Sequence, residues 1–429
     1  MNVSRFFPIA ASTFTFFLSP DQVGAASDLV EITVSNPSGF ARTDEIVKIP
    51  LSELSLPGNV DLFRLEVIPE GANKFEAASQ IVDEDADGTP DTLIFLHDFA
   101  AGESANFTLS LREGDDVPRY FAKRAQAEIA VKEDGTWQGH SYIGGRWKNV
   151  RSLAVPKEHD IHSWFLRYEG PGLESDKIAY RFYLDRRNGY DIFGKHTDSM
   201  VLQNINLDNR EAYHIDSDWG MDILKVGNSL GAGATGWWNG EKAVTISDER
   251  GMRARILDNG ILLASVETVY ENCTIGGQSG DLTVRLSIEA GSRLVCVVGN
   301  YPPTLGPVCA GIGKMQGKPT SLLEGVSGQG PTAWGYCATW GEQAADGKML
   351  GKALFYRIAD VGKVTKDVEN FLVVFRNAGT FEYCFGAAWE GEKNGITTKK
   401  EFRAWCENVC ARFTAPLKIS AKPIDNQRR

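Results

Sequence analysis

Apolar and polar residues alternate with a period of two along most of the chain, which is the pattern of β-strands with one face in a core. The N-terminal part contains four such stretches, at residues 30–34, 62–67, 92–96 and 107–111. Turn-forming residues such as the Asn36-Pro37-Ser38-Gly39 run separate them. We therefore predict an immunoglobulin-like β-sandwich over residues 26–114.

The same alternation returns in the C-terminal part, at residues 282–288, 294–298, 354–358 and 371–375. Helical spacing occurs only near the end, where a capping box from Thr398 to Glu401 precedes Phe402, Trp405, Cys406, Val409 and Phe413. We predict a mostly β protein in which residues 157–429 form a large antiparallel β-sandwich domain, expected to be catalytic, with a C-terminal helix.

Residues 115–156 are predicted to be a linker or loop region. They interleave glycines with four aromatic or imidazole side chains, Trp137, His140, Tyr142 and Trp147. These rings form either a rim that stacks on sugars or a loop packed on the sandwich, and packing is the favoured alternative.

The first 25 residues read as a signal peptide, because Arg5 precedes an apolar run of about 13 residues, too short for a membrane anchor, and small residues end at Ala25. The mature protein is therefore expected in the periplasm or secreted, without membrane insertion. The net charge of −11 argues against nucleic acid as a partner. Seven cysteines all follow residue 272, and in an exported chain some are expected to form disulfides, although spacing does not give the pairs.

An acidic run in the N-terminal region resembles a calcium loop. Four aspartates, Asp83, Asp85, Asp87 and Asp91, lie at alternate or nearly alternate positions around Gly88. Alternate carboxylates can converge on one hard cation, but strands flank this loop, and Ile94 stands where a helix-loop-helix site has a bidentate Glu. A structural Ca²⁺ is the candidate metal, and an acidic solvated hairpin is the alternative.

The stretch 169–195 concentrates the polar chemistry. At period two, Ile178, Tyr180, Phe182 and Leu184 share one face of a strand, and Arg181, Tyr183 and Asp185 lie on the other. Arg187 and Lys195 follow, so the stretch has the composition of a site for an anionic, hydroxyl-rich ligand. The alternative is a salt-bridged outer face of a sheet.

Four of the six histidines lie close to this stretch, at positions 159, 162, 196 and 214. Histidine transfers protons near neutral pH, which makes His162 and His214 candidate acids or bases. A second run beginning at Trp219 adds Asp222 and Lys225 among glycines, without the context of a dinucleotide fingerprint. Glu169 and Glu174 are a further candidate carboxylate pair of the kind glycosidases use.

Three segments resemble the bacterial domain-of-unknown-function 4861 family: EGPGLESDKIAYRFYLDRRNGYDIFGK (169–195), the Tyr213-His214 pair and DWGMDILKVGNSLGAG (218–233). The aspartate loop also fits, so the resemblance covers most of the mature chain. Members are often encoded beside polysaccharide-degrading enzymes, and at least one relative is an oligosaccharide dehydratase of marine ulvan breakdown. Leu173, Arg186 and Gly189 differ from the residues usual in relatives, so the sugar need not be the same.

The resemblance implies a carbon-oxygen lyase that converts a non-reducing terminal uronic acid of an anionic oligosaccharide to its 4,5-unsaturated form. Such an elimination needs a base for the C5 proton, an acid for the C4 hydroxyl and a cation for the carboxylate, and no cofactor. The candidates for base and acid are His162, His214 and Tyr183, and those for the cation are Arg181 and Lys225. Further substrate contacts are expected from Asp185, Arg187, Lys195, Trp219, Asp222 and Lys225.

Two other functions stay open from the sequence. One is a glycoside hydrolase or epimerase acting on uronate-containing glycans, which a β-sandwich can equally host. The other is a non-catalytic glycan-binding protein.

Overall fold

The protein is mostly β, with antiparallel sheets and a single α-helix in the part of the chain described here, as the alternation predicts. The computed structural model describes residues 27–71, 75–112, 120–207, 212–246, 251–315, 317–318 and 320–424. The predicted signal peptide lies outside these ranges.

The strands of the N-terminal part and of the region after it are β1 (Ser27–Ser35), β2 (Arg42–Pro50), β3 (Leu65–Pro69), β4 (Ser79–Val82), β5 (Thr92–Phe99), β6 (Ser104–Leu111), β7 (Ala125–Glu128), β8 (Ala130–Gln138), β9 (Ser141–Asn149) and β10 (Ser152–Ala154). The remaining elements are β11 (Gly172–Ser175), β12 (Ala179–Phe182), β13 (Tyr190–Lys195), β14 (Gly220–Asp222), β15 (Ala234–Trp238), β16 (Ala243–Thr245), β17 (Met252–Asn259), β18 (Leu263–Ile275), β19 (Gln278–Glu289), β20 (Leu294–Asn300), β21 (Val308–Gly313), β22 (Leu322–Ser327), β23 (Trp334–Gly341), β24 (Leu350–Arg357), β25 (Val361–Lys366), β26 (Asn370–Phe375), β27 (Thr380–Trp389), α1 (Lys399–Thr414) and β28 (Lys418–Pro423).

The N-terminal part is a two-sheet sandwich around its own apolar core. One sheet has the order β28-β1-β6-β3 and the other the order β2-β5-β4. Strand β28 comes from the C-terminus and pairs antiparallel with β1, so the domain predicted over residues 157–429 does not contain its own last strand. This pairing gives hydrogen-bond partners to what would otherwise be an exposed sheet edge. The immunoglobulin-like topology stays a prediction.

The region predicted as a linker, residues 115–156, instead contains four strands. Strand β7 joins the sheet that carries the polar stretch, and β8 and β9 form a hairpin. The prediction missed this hairpin because most of its residues are exposed or half-buried, so no apolar alternation marks it. Its Trp137 ring packs 5.1 Å from Tyr142 and 5.3 Å from Phe165, which places the aromatic cluster on the segment before β11 and not on the N-terminal sandwich.

The large C-terminal part consists mainly of three antiparallel sheets. A nine-stranded sheet has the order β10-β17-β18-β19-β20-β27-β24-β23-β22, and two five-stranded sheets have the orders β14-β13-β12-β11-β7 and β16-β15-β21-β26-β25. One continuous apolar core joins them, which makes the β12–β13 hairpin part of a rigid platform.

Helix α1 covers the outer face of the nine-stranded sheet. Thr398 and Glu401 form the predicted capping box, and Phe402, Cys406 and Val409 are buried against the strands. A disulfide joins Cys296 on β20 to Cys384, its direct partner on β27. No helix within the described ranges is both long and apolar enough to cross a membrane.

Candidate active site

The polar face of β12 lies against two acidic residues of neighbouring strands. Tyr180 and Phe182 point into the main core, as the period-two pattern predicts, and Arg181 lies on the opposite face. Arg181 is the cross-strand partner of Asp191 on β13, and Asp222 comes from the next strand, β14. This face is also buried, so it is an interior polar cluster and not a solvated sheet surface.

Arg181 is held entirely by protein groups. Its Nε and Nη2 donate to Asp191 Oδ2 at 3.0 and 2.7 Å, and Nη2 also donates to Asp222 Oδ2 at 2.6 Å. Its Nη1 donates to the Tyr213 hydroxyl at 3.2 Å. Burial disfavours the charged guanidinium, but its acidic neighbours outweigh burial and raise the pKa of Arg181. The geometry disagrees with the expectation that Arg181 clamps a substrate carboxylate, because Nε and Nη2 are bound by the two aspartates and Nη1 donates to Tyr213.

A cavity of about 460 Å³ opens over this cluster. Its lining includes the predicted catalytic residues His162, His214, Tyr183 and Arg181 and three of the predicted substrate contacts, Arg187, Asp222 and Lys225. Residues that are separated by up to 63 positions in the chain thus meet at one place. Hydrophobic side chains such as Leu224 and Val226 complete the wall.

His214 is paired with a buried carboxylate. Its Nδ1 lies 3.2 Å from Asp222 Oδ2, and Asp222 is almost fully buried while the His214 side chain is half-exposed. A carboxylate at Nδ1 holds the proton there, so in the neutral ring Nε2 carries the lone pair. This arrangement prepares His214 to accept a proton from a ligand.

His162 stands beside a second carboxylate. Its Nε2 lies 3.9 Å from Glu169 Oε1, and its backbone N–H donates to the same oxygen at 3.1 Å. Burial favours the neutral form of Glu169, but Arg181 and Arg187 outweigh it and lower the pKa of this carboxyl. The cavity therefore contains two histidine-carboxylate pairs.

Backbone strain is concentrated in the segment that carries His162. His162, Trp164, Tyr168 and Glu169 have φ values of 57°, 62°, 44° and 71°, in the left-handed region that non-glycine residues rarely occupy. Each such residue costs on the order of 1–3 kcal/mol and persists only where its surroundings hold it. The β8–β9 hairpin supplies part of that support, because Tyr142 N donates to Ser163 O at 2.7 Å.

Tyr183 donates its hydroxyl to Asp191. Burial, opposed by Arg181 and reinforced by Asp191, raises the pKa of Tyr183 well above its ordinary value. Burial and Asp222 also raise the pKa of Asp191, to about 6, against the opposing effect of Arg181. Tyr183 thus stays protonated at neutral pH and is a poor base.

Arg187 and Lys225 both line the cavity, but only Arg187 forms ion pairs with carboxylates of the described residues. Arg187 Nη2 lies 2.8 Å from Glu169 and 2.5 Å from Asp185. Lys225 is exposed and lines the cavity without an ion pair to any residue in the described part of the chain. Lys225 is therefore the cation best placed to meet a substrate anion.

Three predicted substrate contacts do not line the cavity. Asp185 is buried and bound by Arg187, and Lys195 is buried with its ammonium 2.6 Å from Glu174. Trp219 packs against Phe193. These expectations are corrected, because the ionic groups are neutralised inside the protein and the indole faces the core.

The glycosidase-type carboxylate pair is also corrected. Glu174 has a fully buried side chain and accepts from Val201 N and Leu202 N, so only Glu169 reaches the cavity. Conversely, Asp191 and Tyr213 line the cavity and were not singled out from the sequence. The sequence could have indicated Asp191, because a hairpin that turns at residues 183–189 makes it the cross-strand partner of Arg181.

Comparisons with known proteins give three findings. A family model described as a domain of unknown function, DUF4861, matches residues 34–419. "Uncharacterized protein P7" of Formosa agariphila is 26% identical over 221 residues, covering 48% of this chain and 47% of that protein. The third finding is a pair of solved structures with distant likeness.

These two structures come from Enterococcus faecalis. A protein in the glycosyl hydrolase family 38 has a TM-score of 0.42 at 9% identity, covering 92% of this chain and 48% of its own. An alpha-mannosidase of strain V583 has a TM-score of 0.41 at 10% identity, with 92% and 47% covered. The chain thus spans about half the length of each of these relatives, and the structural likeness carries no argument about activity.

Proposed function

The chain belongs to the domain-of-unknown-function 4861 family, and from that premise we propose that it is a carbohydrate-active lyase. It dehydrates the non-reducing terminal uronic acid of ulvan-type oligosaccharides to a 4,5-unsaturated uronate. The main support for the proposal is one cavity that is lined by two histidine-carboxylate pairs and by Lys225. Lys225 has no ion pair among the described residues.

The elimination requires one residue that removes a proton and a second residue that donates one. His214 takes the C5 proton through Nε2, and Asp222 stabilises the imidazolium that forms. The electron pair of the C5–H bond becomes the C4=C5 double bond as the C4–O bond breaks. The departing hydroxyl takes a proton from His162 and leaves as water. Either proton transfer contributes about 10²–10⁴-fold to the rate.

Negative charge grows on the uronate carboxylate as the C5 proton leaves. Lys225 neutralises this charge, assisted by the outer edge of Arg187. Preorganised cations at such a position lower the barrier because they need no reorganisation during the reaction. Arg181, Tyr183 and Asp191 form the floor that fixes Asp222 in place.

The experiment is an absorbance assay with uronate-terminated oligosaccharides, because the conjugated double bond of the product adds an ultraviolet absorption band that the substrate lacks. The proposal expects absorbance to rise with one water lost per chain and no change in chain length by mass spectrometry. New reducing ends without absorbance would identify a glycoside hydrolase, and an isomeric product of unchanged mass an epimerase. Saturable binding without any product would identify a glycan-binding protein.

A structural calcium ion is a separate part of the proposal. Carboxylate oxygens of Asp83, Asp85 and Asp91 lie within 4.8 Å of one another, whereas Asp87 Oδ1 accepts from Thr89 N at 2.7 Å. Three carboxylates at this spacing fit a hard cation. The loop touches the large sheet, since Arg285 donates to Asp85 O, so an ion here would stabilise the junction between the two parts of the chain.

Export to the periplasm or the medium also remains a proposal. The disulfide between Cys296 and Cys384 supports it, because disulfides persist mainly in oxidising compartments.

A further inference from the structure

His196 immediately follows β13 and has a hydrogen-bond acceptor at each ring nitrogen. Its Nδ1 lies 2.7 Å from Gly391 O, and its Nε2 lies 2.7 Å from Asp216 Oδ1. The ring packs on Trp389 at 4.9 Å between centroids. The imidazole therefore connects the end of β13, the segment after β27 and the segment that contains Asp216.

The chemistry of the two acceptors specifies the protonation of the ring. A backbone carbonyl has no proton to donate, and an ionised carboxylate has none either. Both contacts are hydrogen bonds only when each ring nitrogen carries a proton, which is the imidazolium form. A neutral ring carries one proton, so one of the two contacts becomes a repulsion between lone pairs.

Asp216 lies two residues beyond His214, in the short segment 212–219 between the cavity and strand β14. His196 also anchors this segment through its backbone, since its N–H donates to Trp219 O at 2.9 Å. Tyr213, next to His214, is held separately by Arg181 and by packing on Phe193 of β13, so the side-chain contact at Asp216 holds the chain on the other side of His214. Its loss would leave the chain between His214 and Trp219 without this side-chain contact.

Two further charged groups, Lys348 and Asp346, lie around this contact. Lys348 Nζ lies 3.9 Å from Asp216 Oδ2 and 2.9 Å from Asp346 Oδ2, and it stands over the Trp389 ring. Lys348 alone cannot replace His196, because its ammonium is shared with Asp346 and is farther from Asp216.

We propose that His196 is a positioning residue, which ties Asp216 to the platform through the hydrogen bonds of its two ring nitrogens and thereby fixes the segment that presents His214. The proposal rests on the proposed function only for its effect on turnover. The tie itself is a property of the fold and is testable without a substrate.

The substrate-free test compares His196→Gln, Asp216→Asn and the wild type by hydrogen exchange of a peptide covering residues 212–219. A glutamine carries both of its N–H donors on one nitrogen, whereas the two acceptors are bound by different ring nitrogens of His196, so exchange should become faster in His196→Gln. An asparagine amide can donate or accept, so Asp216→Asn should hold the segment and exchange like the wild type.

The second test is kinetic and uses His140→Gln as the matched control, since His140 is exposed with its Nδ1 3.2 Å from Glu158 O, away from the cavity lining. His196→Gln should lower kcat by roughly tenfold or more, as misplacing a catalytic group by about 1 Å does, while KM changes little. His140→Gln should match the wild type.

The outcomes separate the two proposals. Identical exchange of residues 212–219 in wild type and His196→Gln would overturn the positioning role. A complete absence of unsaturated product in every variant, with the expected exchange pattern, would reject the dehydratase and leave the tie intact. Unchanged kcat in His196→Gln would likewise overturn the role in turnover.

Discussion

Replacing Arg181 by Met should destabilise the fold as well as abolish turnover. The guanidinium is the shared partner of Asp191 and Asp222, whose side chains are only 1% and 2% exposed. Methionine has a similar length but no charge, so the substitution leaves two carboxylates buried without their cation. The variant therefore tests whether the polar face of β12 is a structural floor or a surface that contacts substrate.

The expected cost follows from the burial of these groups. Removing one partner of a buried ion pair typically costs about 3–5 kcal/mol, because the remaining charge stays desolvated. At roughly 2 °C per kcal/mol for a domain of this size, the melting temperature should fall by about 6–10 °C. Substituting both Asp191 and Asp222 by Asn in the Arg181→Met background should recover part of this loss.

The loss should also depend on pH. In the native protein the pKa of Asp191 is raised to about 6, above the value of about 3.9 expected in the unfolded chain. A raised carboxyl pKa stabilises the fold at low pH, and this contribution disappears as pH rises through about 6. Without Arg181 the pKa of Asp191 should rise further, so the deficit of the variant should be smallest at pH 5 and grow toward pH 8.

Thermal unfolding followed by circular dichroism at several pH values measures these effects. Arg293→Met is the matched control, because Arg293 pairs with the buried Glu392 outside the cavity. It should lower the melting temperature comparably but retain activity per folded molecule. Wild-type stability of the Arg181→Met variant would refute the structural role of Arg181. Arg181 would then again be a candidate for binding the substrate carboxylate.

Three further predictions concern proton transfer, charge and metal. His214→Gln should slow the chemical step about 10²–10⁴-fold and remove one limb of the pH–rate profile, whereas full activity across the pH range would reject its role as base. Lys225→Met should lower kcat/KM about 10–100-fold, the worth of a charge-assisted hydrogen bond of about 1.5–3 kcal/mol, while Lys242→Met outside the cavity lining should have no effect. A chelator should lower the melting temperature and added calcium should restore it. An unchanged melting curve would show that no calcium ion stabilises the fold.

Local periodicity located the strands with clear apolar alternation and the one α-helix of the described residues, but it missed strands without that pattern, such as β8 and β9. The alternation of apolar and polar residues alone predicted that Tyr180 and Phe182 point into the core. The capping box predicted the start of α1 within one residue. The clustering of histidines near the polar stretch also led to the cavity, because His162 and His214 both line it. In each case the deciding interaction lies within a few residues or within one strand pair.

The features that were predicted wrongly depend instead on contacts between residues that are far apart in the chain. Strand β28 pairs with β1 across almost the whole chain, and no local pattern encodes that partner. Period two places Arg181 away from the apolar face, but it does not say that a second layer covers the polar face and turns it into a buried ion cluster. Lys195 was read as a ligand contact for the same reason, since Glu174 neutralises it only in the folded sheet.

The charges that line the cavity bear on what it accepts. Three carboxylates and three cations face it: Glu169, Asp191, Asp222, Arg181, Arg187 and Lys225. Arg181 and Arg187 are matched by carboxylates of the protein, which leaves Lys225 as the cation without an ion pair in the described residues. One carboxylate of a ligand can therefore be neutralised, whereas a second anionic group would need a protonated histidine, which the proposed elimination requires as its acid. Under the proposed function, a single uronate is therefore expected at the reacting position.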